Sequence, residues 1–143
     1  MNEADSKGRY LANTGLQHVD RKEYPAALDC FMRAADAFEE AGDACNRALM
    51  IMSIGSVHRD LEEHAAAMVC YRQALDVFER LGNREGIANQ YSNIAYIYSQ
   101  MGEKEQAAVW FEKAIPIYEE IGDAERAGMA RSNVDVIRES LLR

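Results

Sequence analysis

A forty-residue period constrains this chain more than any other feature. Gly42-Asp43, Gly82-Asn83 and Gly122-Asp123 recur at that step. So do Ala27, Ala67 and Ala107; Phe31, Tyr71 and Phe111; Ala34, Ala74 and Ala114; and Phe38, Phe78 and Tyr118. Gly15, Gly55 and Ala95 keep the same spacing, as do His18, His58 and Tyr98. A repeat of this length is one supersecondary unit that hides its apolar face by stacking on its neighbours.

Within each unit the apolar residues follow a helical rhythm. Ala67, Cys70, Tyr71, Ala74, Val77, Phe78 and Leu81 form an i, i+3, i+4, i+7 stripe, matched by Ala107, Trp110, Phe111, Ala114, Ile117, Tyr118 and Ile121. Each Gly-Asp or Gly-Asn pair supplies a helix stop and the N-cap of the next helix. Pro25 falls at a helix start, where its missing N–H is no loss. The pattern predicts seven helices, at about 7–21, 24–41, 43–61, 64–81, 83–101, 104–121 and 123–142. Pro116 conflicts with the sixth, because it removes a backbone hydrogen bond and crowds the carbonyl of Glu112. It predicts a kink or, alternatively, an early helix end.

Composition removes several classes. With 48% hydrophobic residues in 143, the chain can bury a core, and two prolines and nine glycines leave little room for a turn-rich β fold. There is no apolar run of about 18 residues for a membrane span. The opening Met1-Asn2-Glu3-Ala4-Asp5-Ser6-Lys7 lacks the basic and apolar regions of a secretory signal. A net charge of −8 opposes binding to nucleic-acid phosphates. Cys30, Cys45 and Cys70 form neither a disulfide framework nor a metal knuckle, which suits a reducing compartment. The expectation is a cytoplasmic protein with no nucleic-acid or membrane partner.

The order of small and large residues resembles the tetratricopeptide repeat, whose pattern is W-x2-L-G-x2-Y, then A-x3-F, then A. Tyr91, Ile94, Ala95, Tyr98, Ala107, Phe111 and Ala114 carry it nearly whole. Ile51, Ile54, Gly55, His58, Ala67, Tyr71 and Ala74 form a second copy, and Leu11, Thr14, Gly15, His18, Ala27, Phe31 and Ala34 a first. The resemblance implies an all-α solenoid of three helical hairpins plus a C-terminal capping helix, seven helices in a right-handed superhelix. It implies one domain over 7–142 behind an N-terminal tail of 1–6, with repeats at about 8–42, 43–82 and 83–122 and the cap at 123–142. Gly55 or Ala95 is expected to face Ala67 or Ala107, bringing paired helices close. Forty residues exceed the usual 34. In that respect the chain resembles the long-repeat subclass of kinesin light chain, Pins-type adaptors and bacterial peptide-pheromone receptors.

The resemblance also implies a site, since the first helices of such hairpins line a concave groove. Its deepest column is Asn13, Ser53, Asn93 and Asn133. A carboxamide there offers donor and acceptor together, matching one peptide unit without reading its side chain. Neighbouring columns bring Arg9, Asn89 and Met129, then Met52, then Leu16, Tyr96 and Val136, with Arg59 one turn further on. The Lys/Arg clamp of chaperone-tail binders is missing, its positions being Ala12, Ser53, Asn89 and Asn93. His18, His58, Cys30 and Cys70 share columns with Tyr98 or Trp110 and read as packing residues. No phosphate loop, HExxH or nucleophile elbow appears. The expected function is non-catalytic binding of a peptide or helix of a partner protein, with no cofactor or metal, by a monomer or weak homodimer. A homo-oligomeric scaffold, or the sensor part of a larger regulator, are the alternatives.

Overall fold

The computed structural model describes residues 2–143, and among these the chain is all-α, with seven helices. They are α1 (Glu3–Asp20), α2 (Tyr24–Glu40), α3 (Ala44–Asp60), α4 (His64–Leu81), α5 (Arg84–Gln100), α6 (Lys104–Glu120) and α7 (Ala124–Leu141). The contacts divide into two compact units, the first ending at Val77 and the second starting at Phe78, so the division falls inside α4.

Every loop between these helices uses a residue of positive φ. Gly42, Gly82, Gly102 and Gly122 adopt φ of 73°, 66°, 80° and 80°, and Lys22 and Glu62 take the same region at 58° and 60°. At the first glycine, Gly42 N–H donates to the Glu39 carbonyl and Asp43 N–H to the Phe38 carbonyl, at 3.0 and 2.9 Å. Glu62 and Glu63 repeat this pattern on Arg59 and His58, at 2.9 and 2.8 Å. Both are Schellman stops, which satisfy carbonyls that a helix end leaves orphaned. Asp43, Asn83 and Asp123 then accept the N–H of Asn46, Gly86 and Arg126, at 3.0, 2.8 and 3.0 Å, and so begin α3, α5 and α7.

One expectation needs correction, and one alternative is removed. Residues 3–6, expected to belong to an N-terminal tail, are helical, because Asn2 Oδ1 accepts the Asp5 N–H at 2.7 Å and starts α1 at Glu3. That turn of helix lacks an apolar stripe, but Gly8 behind it is buried against Phe38. Pro116 does not end its helix early: α6 continues to Glu120. The proline lies on an exposed face, where water can satisfy the carbonyl it leaves unpaired.

Four columns of the period make the core in both units. Ala27, Ala67, Ala107, Ala34, Ala74 and Ala114 are fully buried, and the aromatic columns from Phe31 to Tyr118 are at most 6% exposed. In the first unit Phe31 and Phe38 cluster with Leu11, Met50 and Val57; in the second Phe111 clusters with Ala95, Ala108, Val134 and Ile137. Close approach is real, and in the second unit Ala95 falls in one buried cluster with Ala107. A Cβ on Gly55 would lie 2.9 Å from Cys70 Cβ and 3.0 Å from the Tyr71 ring, and one on Gly15 would lie 2.6 Å from Phe31. These glycines make room for an aromatic ring, and Gly55 for Cys70 as well.

Left-handed backbone costs a non-glycine residue about 1–2 kcal/mol, and glycine returns part of this through unfolded-state entropy. Lys22→Gly and Glu62→Gly should therefore each stabilise the protein by about 0.5–1 kcal/mol in urea unfolding; a loss of stability would contradict the turn assignment. Gly86→Ala should act oppositely, because its Cβ would meet the Phe78 ring at 2.4 Å. A loss of about 1–3 kcal/mol is expected from this overpacking, and an unchanged unfolding midpoint would show that the ring yields freely.

Candidate peptide-binding faces

The expected groove residues fall on the first helices of each hairpin, and the structure separates them by how far each is already engaged. In the first unit Arg9 projects from α1, but its Nε donates to Asp5 Oδ2 at 2.9 Å. This hydrogen bond, with the charge of Asp5, raises the guanidinium pKa. Asn13, one turn on, is exposed. On α3, Met52 and Ser53 are half-buried, and Ser53 Oγ donates back to the Leu49 carbonyl at 3.0 Å. Arg59 meets Asp60 Oδ1 through Nε and Nη2, at 3.3 and 3.2 Å.

In the second unit α5 and α7 each carry a stripe of expected groove residues. Arg126, in the first turn of α7, donates Nη1 to Glu85 Oε1 at 3.3 Å and to Asn89 Oδ1 at 3.2 Å. These bonds set the start of one stripe beside the start of the other. Asn89 Oδ1 also accepts the Tyr118 hydroxyl from α6 at 2.7 Å. Asn89 therefore joins three helices, and its oxygen is committed to the fold. Ser92 Oγ lies 3.3 Å from the same hydroxyl. Burial pushes the Tyr118 phenol up, while the Ser92 hydrogen bond pulls it down.

Asn93 follows one turn later, half-buried, its Nδ2 donating to Gln90 Oε1 at 3.3 Å. Gln90 is fully buried. Further along α5, Tyr96 is 43% exposed. On α7, Asn133 is exposed, flanked at helical spacing by Met129 at 60% and Val136 at 66%. Three exposed apolar side chains thus flank the two asparagines on α5 and α7.

Sequence reasoning missed Gln90, Tyr118 and Arg126. Tyr118 does carry a visible signal: it is the one hydroxyl in a column otherwise filled by Phe38 and Phe78. The histidines do more than pack. His18 and His58 Nδ1 lie 3.3 and 3.4 Å from Glu23 and Glu63 across the helix turn. In the third repeat Tyr98 stacks on Trp110 instead, with centroids 6.5 Å apart. Lys113 Nζ lies 4.5 Å from the Trp110 ring centroid and 5.1 Å from that of Tyr91, a cation–π arrangement. Cys30 is buried, and burial raises the Cys70 thiol pKa, so both fill space. No described helix is long and apolar enough to cross a membrane.

The tetratricopeptide repeat family profile matches residues 46–120, just over half of the chain. The chain belongs to the tetratricopeptide repeat family. No curated protein matches it in sequence. Among solved structures, apo RapI superposes with a TM-score of 0.90 at 15% identity, covering 99% of this chain and 40% of RapI. A Rap protein complexed with Competence and Sporulation Factor gives 0.82 at 20% identity, covering 96% of this chain and 38% of that one. The first tetratricopeptide domain of Spaghetti (RPAP3), bound to the HSP90 peptide SRMEEVD, gives 0.73 at 19%, covering 97% and 96%. The tetratricopeptide chain thus spans well under half of the two Rap proteins. These likenesses establish the fold of tetratricopeptide α-solenoids.

The Tyr118 hydroxyl offers a direct check of this geometry. Tyr118→Phe should cost about 0.5–1.5 kcal/mol, the net worth of one hydrogen bond, because Asn89 keeps Arg126 as a partner. Urea unfolding followed by Trp110 fluorescence would measure it; unchanged stability would mean that the Asn89 bond carries nothing.

Proposed function

We propose that this tetratricopeptide protein is a non-catalytic interaction module that holds a segment of a partner protein against the α5–α7 face. The α1–α3 face offers a second contact area around Asn13 and Met52. The observation that carries the reading is the pair of stripes. Asn93 and Asn133 present carboxamides at equivalent turns, and Tyr96, Met129 and Val136 leave apolar surface open beside them. A carboxamide pairs with a peptide unit through donor and acceptor at once. Two of the similar folds are bound in their structures, one to Competence and Sporulation Factor and one to an HSP90 peptide, which supports a binding role.

Asn89 plays a different part from Asn93 and Asn133. It supports the face from within, since its oxygen is held by Tyr118 and Arg126. The forty-residue step of the turns at Gly42, Gly82 and Gly122 supports membership of the long-repeat subclass. We place the protein in the cytoplasm, where its three free cysteines would stay reduced.

Partners captured from the native cell by immobilised wild-type protein should be lost on the double substitution Asn93→Ala, Asn133→Ala. Each lost pair of hydrogen bonds is worth roughly 1 kcal/mol, so affinity should drop at least about tenfold. The helical circular dichroism should not change. Full retention of the same partners by the folded double variant would overturn the proposed face.

A further inference from the structure

We infer that Gln90 is a positioning residue for the α5–α7 face: it turns the Asn93 carbonyl toward the ligand, which must then supply a backbone N–H. This rests on the binding reading above and specifies the ligand's hydrogen-bond pattern. Gln90 is the one carboxamide or charged side chain that is fully buried among the described residues. Packing does not require it. At the forty-residue step the same column holds Met50 and Ala130, which are 9% and 3% exposed. A buried amide is costly unless its polar atoms are bonded. No buried side-chain nitrogen or oxygen lacks a partner among the described residues, so both ends of Gln90 are engaged and its orientation is fixed.

Asn93 lies three residues further on, a neighbour of Gln90 on the helix surface, and its Nδ2 donates to Gln90 Oε1 at 3.3 Å. Gln90 is buried and Asn93 half-buried, so this bond draws the nitrogen inward. The carboxamide is planar, and Oδ1 takes the other side; among the described residues nothing donates to it. Asn89 has the opposite polarity. Its Oδ1 accepts from the Tyr118 hydroxyl at 2.7 Å and from Arg126 Nη1 at 3.2 Å, which uses both lone pairs and leaves Nδ2 as a donor. One turn of α5 thus offers a donor at Asn89 and an acceptor at Asn93, matching a backbone carbonyl and a backbone N–H. Asn133 has Ala130 in the place of Gln90, so no buried carboxamide sets which end it presents. The consequence is a rule for the ligand. Its residue opposite Asn93 must carry an N–H, which excludes proline there whatever the neighbouring side chains.

The test uses the tightest peptide selected on the immobilised full chain from a degenerate nonapeptide library, acetylated and amidated. Each backbone N–H of that peptide is replaced in turn by an ester oxygen, and affinities are measured by calorimetry. On the wild type, one ester should weaken binding at least about threefold, as expected for one lost hydrogen bond. The same ester should cost nothing on Asn93→Ala, which marks its position as the one facing Asn93. In Gln90→Met, whose side chain already fills this column at position 50, the penalty should fall below about twofold, because Asn93 can then turn Nδ2 to the ester oxygen. Gln90→Ala, after position 130, is the second variant and should behave alike. Circular dichroism should stay helical in both. A purely structural role for Gln90 would change stability and leave the ester penalty unmoved. That result, or a wild-type scan in which no Asn93-dependent ester penalty exceeds about twofold, would overturn this inference and leave the binding face standing. Absence of any selected peptide that depends on Asn93 and Asn133 would overturn both.

Discussion

Everything else in this protein depends on a backbone turn repeated at twenty-residue intervals. A residue at positive φ stops one helix, as at Gly42, Glu62, Gly82, Gly102 and Gly122, and the next helix begins two residues later. That interval holds each helix to 17 or 18 residues. Helices of matched length can pair along their whole extent, so the same columns meet in every hairpin. The alanines at 27, 67 and 107 are fully buried for this reason, and the aromatic rings beside them find equivalent pockets.

Those pockets are made by what is absent. Gly15 and Gly55 leave space filled by Phe31 and by Tyr71, and Gly86 does the same for Phe78. With the rings and small residues directed inward, the first helices keep an outward stripe that contributes little to the core. On the proposed reading, substitution along this stripe would change binding rather than folding. Tyr118 is the point where the two roles meet. Its ring belongs to the buried aromatic column, while its hydroxyl fixes Asn89 and, through it, Arg126.

The core was legible because its columns hold one residue type at one spacing, from Ala27 to Ala114 and from Phe31 to Tyr118. Helix ends were legible wherever glycine marked them. The ends near Lys22 and Glu62 were placed equally well, within a residue, although neither residue type favours the left-handed region that each adopts. The start of α1 was illegible because Asn2 caps a polar turn with no apolar rhythm. For the candidate site, the sequence exposed positions but not their commitments. Asn89 and Asn93 look alike in the chain; what separates them is a hydroxyl 29 residues from Asn89 and a guanidinium 37 residues from it, which only the fold brings together. Arg9 and Arg59 read as available cations until Asp5 and Asp60 are seen beside them.

The most direct measurement is nuclear magnetic resonance of the asparagine side-chain amides during titration with a segment of a partner captured by the wild-type protein. If the α5–α7 face grips a peptide backbone, the Nδ2 resonances of Asn93 and Asn133 shift together and saturate with the same affinity. Those of Asn46 and Asn83, which sit at helix starts, stay in place. Saturable binding that leaves Asn93 and Asn133 unmoved would contradict the proposed face.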